Sequence, residues 1–170
     1  MQILGSHISA TPNHQTDRII PLKFRCDMAA TARLGMEIQP KLLTDSEKDY
    51  VRKYLAAYKE YRDVVFDGDL YRISSPYEGG FYSLAYVSKD KSKAVFFAFC
   101  LEYSSRSITP KFRVVGLDKD ARYKVKEIAP VNKPTWCDGK VLGGDYIASF
   151  GFNLNITKPY QSTVLLLERQ

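Results

Sequence analysis

Residues 81–100 read F-Y-S-L-A-Y-V-S-K-D-K-S-K-A-V-F-F-A-F-C. Two largely apolar runs, residues 81–87 and 94–100, flank a polar segment at residues 88–92 that is rich in turn-forming side chains. This arrangement predicts a β-hairpin. The second run carries no charged residue, so it predicts a central strand that is covered on both faces, with Cys100 as a buried core thiol.

The same two-residue periodicity continues to the end of the chain. Short alternating runs separated by turn residues are typical of antiparallel sandwiches and barrels. Seven runs have the composition of strands: residues 70–73, 81–87, 94–100, 112–115, 122–128, 146–150 and 164–168. The second part of the chain is therefore predicted to be an antiparallel β-sandwich of about seven strands.

The first third of the chain is predicted to be helical. Thr44 and Glu47 have the spacing of a capping box, and Val51, Tyr54 and Tyr58 then recur on one face of a helix. This pattern predicts a helix over residues 45–62, and the Ala-rich residues 26–34 predict a shorter one. The fold class is thus an α+β composite, with a domain boundary between residues 62 and 63.

Length and composition exclude several classes of protein. The chain has 170 residues, of which 45% are hydrophobic, so it can bury a core and is not expected to be disordered. Its longest apolar run, residues 94–101, is far shorter than the ~20 residues of a membrane helix. No charged and apolar leader of a secretory signal is seen, so we expect no membrane partner, and a cytoplasmic location if Met1 is the true N-terminus.

The net charge of +6 lies entirely in residues 70–170, which hold fifteen basic and nine acidic side chains. The basic residues alternate with apolar ones, as Lys124 and Lys126 do with Tyr123 and Val125. This alternation predicts a solvent-facing sheet surface. Because no nucleic-acid recognition motif accompanies the charge, we expect no nucleic-acid partner.

Few residues have the spacing of a catalytic or metal site. A Ser-His-Asp set can be assembled from Ser6, Ser9, His7, His14 and Asp17, but the G-x-S-x-G elbow is missing and proximity in sequence does not indicate a triad. Three cysteines and two histidines without metal-ligand spacing predict no metal site and no cofactor.

Two further sets of residues have a structural and a functional interpretation. Asp67 and Asp69 could act as paired carboxylates, although a turn that ends the helix explains them better. Trp136, in a loop at residues 130–138, could form an aromatic platform for a sugar ring with Tyr77 and Tyr82. Core packing or loop anchoring is the structural alternative for these three aromatic residues.

The N-terminal stretch carries a more specific signal. Residues 5–16 read G-S-H-I-S-A-T-P-N-H-Q-T, which resembles the G-S-H-x-S-A-x-P-N-H-Q-T segment of bacterial α-galactosidases of glycoside hydrolase family 36. The runs G-D-L-Y-R-I-S-S-P at residues 68–76 and G-L-D-K-D-A-R-Y-K-V at residues 116–125 follow in the family order. Residues 143–152 depart from the family pattern G-x-x-L-M-x-x-G-L, so the last strands are expected to differ in detail.

The resemblance implies a parent enzyme that contains a (β/α)8 barrel and a terminal β domain. Residues 1–62 would be the helical remnant of the barrel's end, and residues 63–170 the C-terminal β-sandwich. The parent reaction would be retaining hydrolysis of terminal α-galactosides by two Asp residues upstream of the matched segment. This chain would then hold no catalytic residue and be structural, while His7, Asn13 and His14 would lie near the active end of the barrel and brace its backbone.

Two strands cannot close an eight-stranded barrel, because their edges would stay unpaired. We therefore expect residues 1–62 to meet the remainder of the parent enzyme or a homo-oligomer mate, the helix over residues 44–62 to pack on the β domain, and residues 1–40 to be rearranged or shared between chains. The alternative is a carbohydrate-binding or oligomerisation β-sandwich module that holds a sugar through Trp136 and neighbouring tyrosines.

Overall fold

The structure is a computed structural model that describes residues 4–104 and 108–170. Its elements follow in chain order: β1 (Gly5–Ile8), α1 (Leu22–Ala29), β2 (Arg33–Met36), a 3-10 turn (Pro40–Leu42), α2 (Asp45–Tyr58), α3 (Arg62–Asp67), β3 (Asp69–Ser74), β4 (Phe81–Val87), β5 (Lys93–Cys100), β6 (Arg122–Glu127), β7 (Val141–Gly143), α4 (Gly144–Ser149) and β8 (Ser162–Arg169). Within the described ranges, no helix has the length and apolar character needed to cross a membrane.

An antiparallel sheet of six strands, in the order β3-β4-β5-β8-β6-β7, forms the centre of the structure. β4 and β5 form the predicted hairpin, with Phe81 opposite Cys100 and Val87 opposite Ala94. β5 pairs with β8 along its other edge, and all of its residues after Lys93 are buried. The prediction of a central strand covered on both faces is confirmed, and Cys100 is a buried free thiol.

The side chains of β5 alternate between two halves of the core. Val95, Phe97 and Phe99 face a cluster that includes buried residues of α1, α2 and α3. Phe96 and Ala98 face a second cluster, built from the irregular segments on either side of α4 and from α4 itself. The α2 helix therefore packs on the sheet, as the amphipathic pattern predicted.

The coarser prediction of an antiparallel β domain in the second part of the chain is confirmed, with six strands in one sheet. The sandwich is not formed, because the second face of the sheet is covered by irregular segments and α4 rather than by another sheet. Residues 146–150, predicted as a strand, lie mostly in α4. Helical spacing lets the Tyr146 and Phe150 rings stack on the outside, with centroids 5.4 Å apart, while Ile147 is buried. Gly144 permits this close packing, since a Cβ there would lie 2.0 Å from the Asp118 carbonyl oxygen.

Residues 112–115 keep the predicted alternation but form no regular strand. Phe112 and Val114 are buried, and the residue after each is exposed. Phe112 makes an isolated antiparallel bridge with Phe152. The next inward amide, that of Val114, donates to the Ile147 carbonyl of α4, 3.4 Å away, so the ladder cannot continue.

The N-terminal helices differ from their predicted bounds. The helix predicted over residues 26–34 ends earlier, where the Thr31 hydroxyl donates to the Met28 carbonyl at 2.7 Å, and residues 33–36 form β2 instead. The capping box of α2 is confirmed: the Glu47 amide donates to Thr44 Oγ1 at 3.3 Å, and the Thr44 amide donates to the Glu47 carboxylate at 2.9 Å. This helix ends at Tyr58, and a separate short helix, α3, carries the chain to Asp67.

Candidate functional site

β1 and β2 form a parallel pair that α1 connects, in register from Gly5 opposite Arg33 to Ile8 opposite Met36. Such a β-α-β unit is the building block of parallel α/β folds. Neither outer edge of this pair meets a third strand in the described part of the chain. Because the strands are parallel, both have their carboxyl ends at the same edge, and the loop at residues 9–20 follows β1 there. Barrel enzymes place their active sites at this carboxyl edge.

The loop at residues 9–20 is held by its own hydrogen bonds. The Asn13 side-chain oxygen accepts from the Gln15 amide at 3.0 Å and from both the amide and the hydroxyl of Thr16 at 3.1 Å. Asn13 thus closes a turn of the loop. The loop lines a pocket of about 230 Å³, which also includes Arg25 of α1.

Arg25 connects this loop to α1. Its side chain is buried, and it donates to the Ser9 carbonyl and, from Nε at 3.0 Å, to the Ile20 carbonyl. Burial lowers the pKa of Arg25 from its ordinary value. One charged side chain therefore holds both ends of the loop at the carboxyl edge of β1.

The two histidines lie at or near the same edge, but they form no triad. His7 Nε2 lies 2.9 Å from a Glu37 carboxylate oxygen, just after β2, and both side chains are largely exposed. His14 is exposed. In residues 4–104 and 108–170, no hydrogen bond joins either histidine to Ser6 or Ser9, and contacts of His7, Asn13 and His14 with a sugar stay a prediction.

Asp67 and Asp69 lie in the turn that ends α3. Both are exposed, and Asp69 pairs with Lys89 of the hairpin loop. A Cβ on the intervening Gly68 would lie 2.4 Å from the Val64 carbonyl oxygen, so the sharp turn requires glycine. The structural interpretation of these two carboxylates accounts for their position.

The cysteines offer no nucleophile at neutral pH. Cys26, Cys100 and Cys137 are free and buried. Burial raises the pKa of the Cys26 thiol to about 12, so the reactive thiolate is scarce. The part of the chain that the structure describes also holds no group of three His, Cys, Asp or Glu side chains arranged for a metal ion.

The platform that Trp136, Tyr77 and Tyr82 could have formed is not assembled, and the structural alternative accounts for Tyr82. Trp136 lines a cleft of about 610 Å³, whereas Tyr77, 95% exposed, lies beside a different one. Tyr82 stacks on Phe99, with ring centroids 5.8 Å apart, and packs against the helical half of the core. The turn at residues 75–80 carries Tyr77 away from the Trp136 loop.

Asp27 is a functional candidate that sequence reasoning missed. Its side chain is fully buried, and one carboxylate oxygen lies 2.7 Å from both Lys23 Nζ and the Ser162 hydroxyl of β8. The signal available in the sequence was the Lys23–Asp27 spacing of four residues within an otherwise apolar helix face. This carboxylate ties α1 to the central sheet.

The geometry defines a parallel β-α-β unit docked on an antiparallel β domain, and comparison with known families agrees. Residues 82–167 match the model of the glycosyl hydrolase family 36 C-terminal domain, and residues 1–68 match the melibiase model. These matches place the chain among the glycoside hydrolases. The chain belongs to glycoside hydrolase family 36.

Relatives and solved structures are similar over almost the whole chain. A probable α-galactosidase G of Aspergillus terreus is 32% identical over 98% of this chain, and α-galactosidase AgaA of Geobacillus stearothermophilus is 32% identical over 94%. The crystal structure of AgaA superposes with a TM-score of 0.85 at 30% identity over 98% of this chain. The chain spans 22%, 20% and 22% of these proteins, respectively, or about a fifth of each.

The restriction of the resemblance to bacterial enzymes is not supported. Fungal α-galactosidases, such as those of Aspergillus terreus and Emericella nidulans, match this chain as well as the bacterial one does. The similarity of this chain thus extends to both fungal and bacterial enzymes of the family.

Proposed function

We propose that this chain supplies the end of the (β/α)8 barrel and the C-terminal β domain of an α-galactosidase, which hydrolyses terminal α-galactosides with retention of configuration. The observation that carries the proposal is the parallel β1-α1-β2 unit, whose outer edges meet no third strand in the described residues. Unpaired edges of a parallel pair need neighbouring strands, and the remaining strands of a barrel would provide them. The chain by itself would be structural and inactive.

Two further observations support this assignment. The chain covers about a fifth of relatives that are named α-galactosidases, so it has the size of one portion of such an enzyme. Substituted variants of AgaA, each with a TM-score of 0.85 to this chain, have been solved in complex with raffinose and with stachyose. We therefore propose α-galactosides of this class as the substrates of the parent enzyme.

The proposed domains are residues 1–62 and 63–170. The boundary falls at the beginning of α3, which is the last helix before β3. Residues that precede it include the parallel pair and the α2 helix, and residues that follow it build the antiparallel sheet. Hydrophobic packing across this boundary is extensive, since Val51 and Tyr54 of α2 belong to one cluster with Phe97 of β5.

The proposed role of the β domain is to position the carboxyl edge of the barrel. Ser162 of β8 holds Asp27 of α1 through a 2.7 Å hydrogen bond. Two residues earlier on the same helix, Arg25 holds the ends of the loop at residues 9–20. A rigid sheet thus supports a loop at the edge where the substrate would bind, through one helix.

A chimera tests the proposal. This chain would replace the corresponding fifth of AgaA, and hydrolysis of an aryl α-galactoside would be measured beside the isolated chain. We expect the chimera to be active and the chain alone to show no turnover. Arg25→Ala in the chimera is expected to lower kcat/KM, whereas Arg52→Ala, on the exposed face of α2, is the matched control.

Two results would contradict the proposal. One is a folded chimera that binds a galactoside without hydrolysing it, although unmodified AgaA is active in the same assay. The other is turnover by the isolated chain that disappears when aspartates within this chain are replaced. The unpaired edges also permit pairing between two copies of the chain, which size-exclusion chromatography of the isolated chain would report.

A further inference from the structure

A second cleft lies between the beginning of α1 and the loops of the β domain, and the proposed function makes no use of it. We name it the Trp136 cleft, after the ring on its wall. Its volume is about 610 Å³. Its principal lining residues are Lys23, Phe24, Glu127, Trp136, Ile156 and Tyr160.

The Trp136 ring is held in a defined position. Its Nε1 donates to the Asn153 carbonyl at 3.0 Å, and Lys140 Nζ lies 4.8 Å from the ring centroid. The side chain nevertheless remains 42% exposed. An aromatic ring that is anchored at its edge and still open to a cleft can pack against a ligand at a small cost in conformational entropy.

Glu127 supplies the polar feature of the cleft. The residue is only 9% exposed, and its Oε2 accepts from the Thr135 amide at 2.6 Å. Its other carboxylate oxygen receives no hydrogen bond from residues 4–104 and 108–170. That oxygen is not among the buried polar atoms that lack a partner, so it is open to the cleft and can accept a hydrogen bond from a ligand.

The surrounding charges select the kind of ligand. Lys23 carries a positive charge in the cleft and is bound to Asp27, and Lys133 also lines it. Together with Lys140 over the ring, these ammonium groups disfavour a cationic ligand. An anion would be repelled by the Glu127 carboxylate, whose open oxygen suits a hydroxyl donor, so a neutral molecule that carries both donors and acceptors fits the cleft best.

We propose that the Trp136 cleft binds a neutral saccharide ring. The C–H face of the sugar packs on Trp136, one hydroxyl donates to Glu127, and a neighbouring hydroxyl accepts from Lys23. Pro21 lines this cleft, and the preceding residue, Ile20, lines the pocket at the carboxyl edge of β1, so the two pockets have lining residues that are adjacent in the chain. It is a binding site without catalysis, and it does not depend on the proposed parent reaction.

Trp136 is the one tryptophan of the chain, so its fluorescence reports this cleft alone. The full chain would be titrated with raffinose and with methyl α-galactoside. We expect a saturable change in emission, with a Kd on the order of 1 mM, as is usual for a small ligand with few contacts. Glu127→Gln is expected to weaken binding about tenfold, because a charged acceptor becomes neutral.

Tyr77→Ala is the matched control, because it removes an exposed aromatic ring from another cleft and should leave binding unchanged. Since Glu127→Gln could disturb the fold, Trp136→Phe provides a second variant, with calorimetry as the readout, and it should weaken binding by several-fold. An absence of any change in emission while circular dichroism shows a folded chain would overturn the proposal. So would an equal response to glycerol, competition by inorganic phosphate, or undiminished binding by folded Trp136→Phe.

Discussion

The β5 strand and the β1–β2 pair show two opposite situations of a strand in the same chain. β5 pairs along both edges and is covered on both faces, so seven of its eight residues are buried. β1 and β2 have one partner each, and only Ile8 of these eight residues is buried. The antiparallel sheet is therefore stabilised by its own strand pairing and by the layers that cover it. The parallel pair instead depends on neighbouring strands that the described residues do not provide.

Besides hydrophobic packing, hydrogen bonds from α2 and from β4 join the two regions. The Tyr58 hydroxyl of α2 donates to the Ala32 carbonyl at 2.9 Å and accepts from the Leu34 amide of β2 at 3.2 Å. The Tyr86 hydroxyl of β4 donates to the Thr31 carbonyl at 2.7 Å. Tyr58 of α2 and Tyr86 of the sheet thus hold the backbone that precedes and begins β2.

The largest effect is expected from truncation in the sheet. Phe97→Ala removes a fully buried ring that stacks on Phe99 and meets the Tyr61 ring edge to face, and should lower the free energy of unfolding by about 3–5 kcal/mol. Leu34→Ala, the matched truncation of a half-buried residue in β2, should cost about 1 kcal/mol because much of its surface stays in water. Urea denaturation followed by circular dichroism measures both.

If Phe97→Ala and Leu34→Ala lowered the free energy of unfolding equally, the sheet and the parallel pair would not differ in stability as we expect. In the chimera with AgaA, neighbouring strands would bury the edges of β1 and β2, so the expected stability cost of Leu34→Ala is different. Leu34→Ala should then cost more than it does in the isolated chain. A cost that does not change would show that the parallel pair acquires no new neighbours.

Tyr58 and Tyr54 of α2 test the contacts between the sheet and the parallel pair. Tyr58→Phe removes the hydroxyl that binds the segment before β2 and leaves buried backbone groups without a partner, so it should destabilise the chain by about 1–3 kcal/mol. The Tyr54 hydroxyl, one turn earlier on α2, is buried close to Asp27 and the Tyr61 hydroxyl, but no well-formed hydrogen bond to the described residues satisfies it. Tyr54→Phe should therefore be neutral or stabilising by about 1 kcal/mol.

The same denaturation assay separates the two tyrosine variants, which remove one identical atom from one helix. A clear loss of stability in Tyr54→Phe would show that its hydroxyl has a partner. Hydrogen exchange gives an independent test, because Tyr58→Phe should speed the exchange of the Leu34 amide. The amides of β5 should keep their protection relative to the global stability.

The features that the sequence predicted well are those set by local periodicity. The capping residues Thr44 and Glu47, the hairpin of β4 and β5, and the strand near residue 164 depend on neighbours along the chain, so their pattern is visible directly. The motif at residues 5–16 also led to the family. None of these inferences required knowledge of distant contacts.

The errors come from tertiary contacts that periodicity does not encode. A largely apolar run at residues 146–150 has strand composition, but the close approach of Gly144 to the Asp118 carbonyl and the burial of Ile147 favour a helix. A platform of Trp136, Tyr77 and Tyr82 would require two loops to converge on β4, which they do not. Asp27 was missed because its importance depends on Ser162, which lies 135 residues away in the chain.

The smallest effect concerns the beginning of α2, where the capping box is exposed. Hydrogen bonds from the Thr44 backbone and hydroxyl lower the pKa of the Glu47 carboxyl below its ordinary value of 4.5. A carboxyl with a lowered pKa in the folded state stabilises the protein fully above its unfolded pKa. This contribution is lost as the pH falls through the lowered folded value.

Glu47→Gln provides the control, because the amide keeps the capping geometry but does not titrate. The free energy of unfolding of the unmodified chain, minus that of this variant, should be largest near neutral pH and should shrink below about pH 4.5. The difference should be smaller than that caused by Tyr58→Phe, since both capping side chains are exposed to solvent and added salt should reduce it further. A difference that grows as the pH falls would reverse the sign and show that Glu47 binds its proton more tightly in the folded chain.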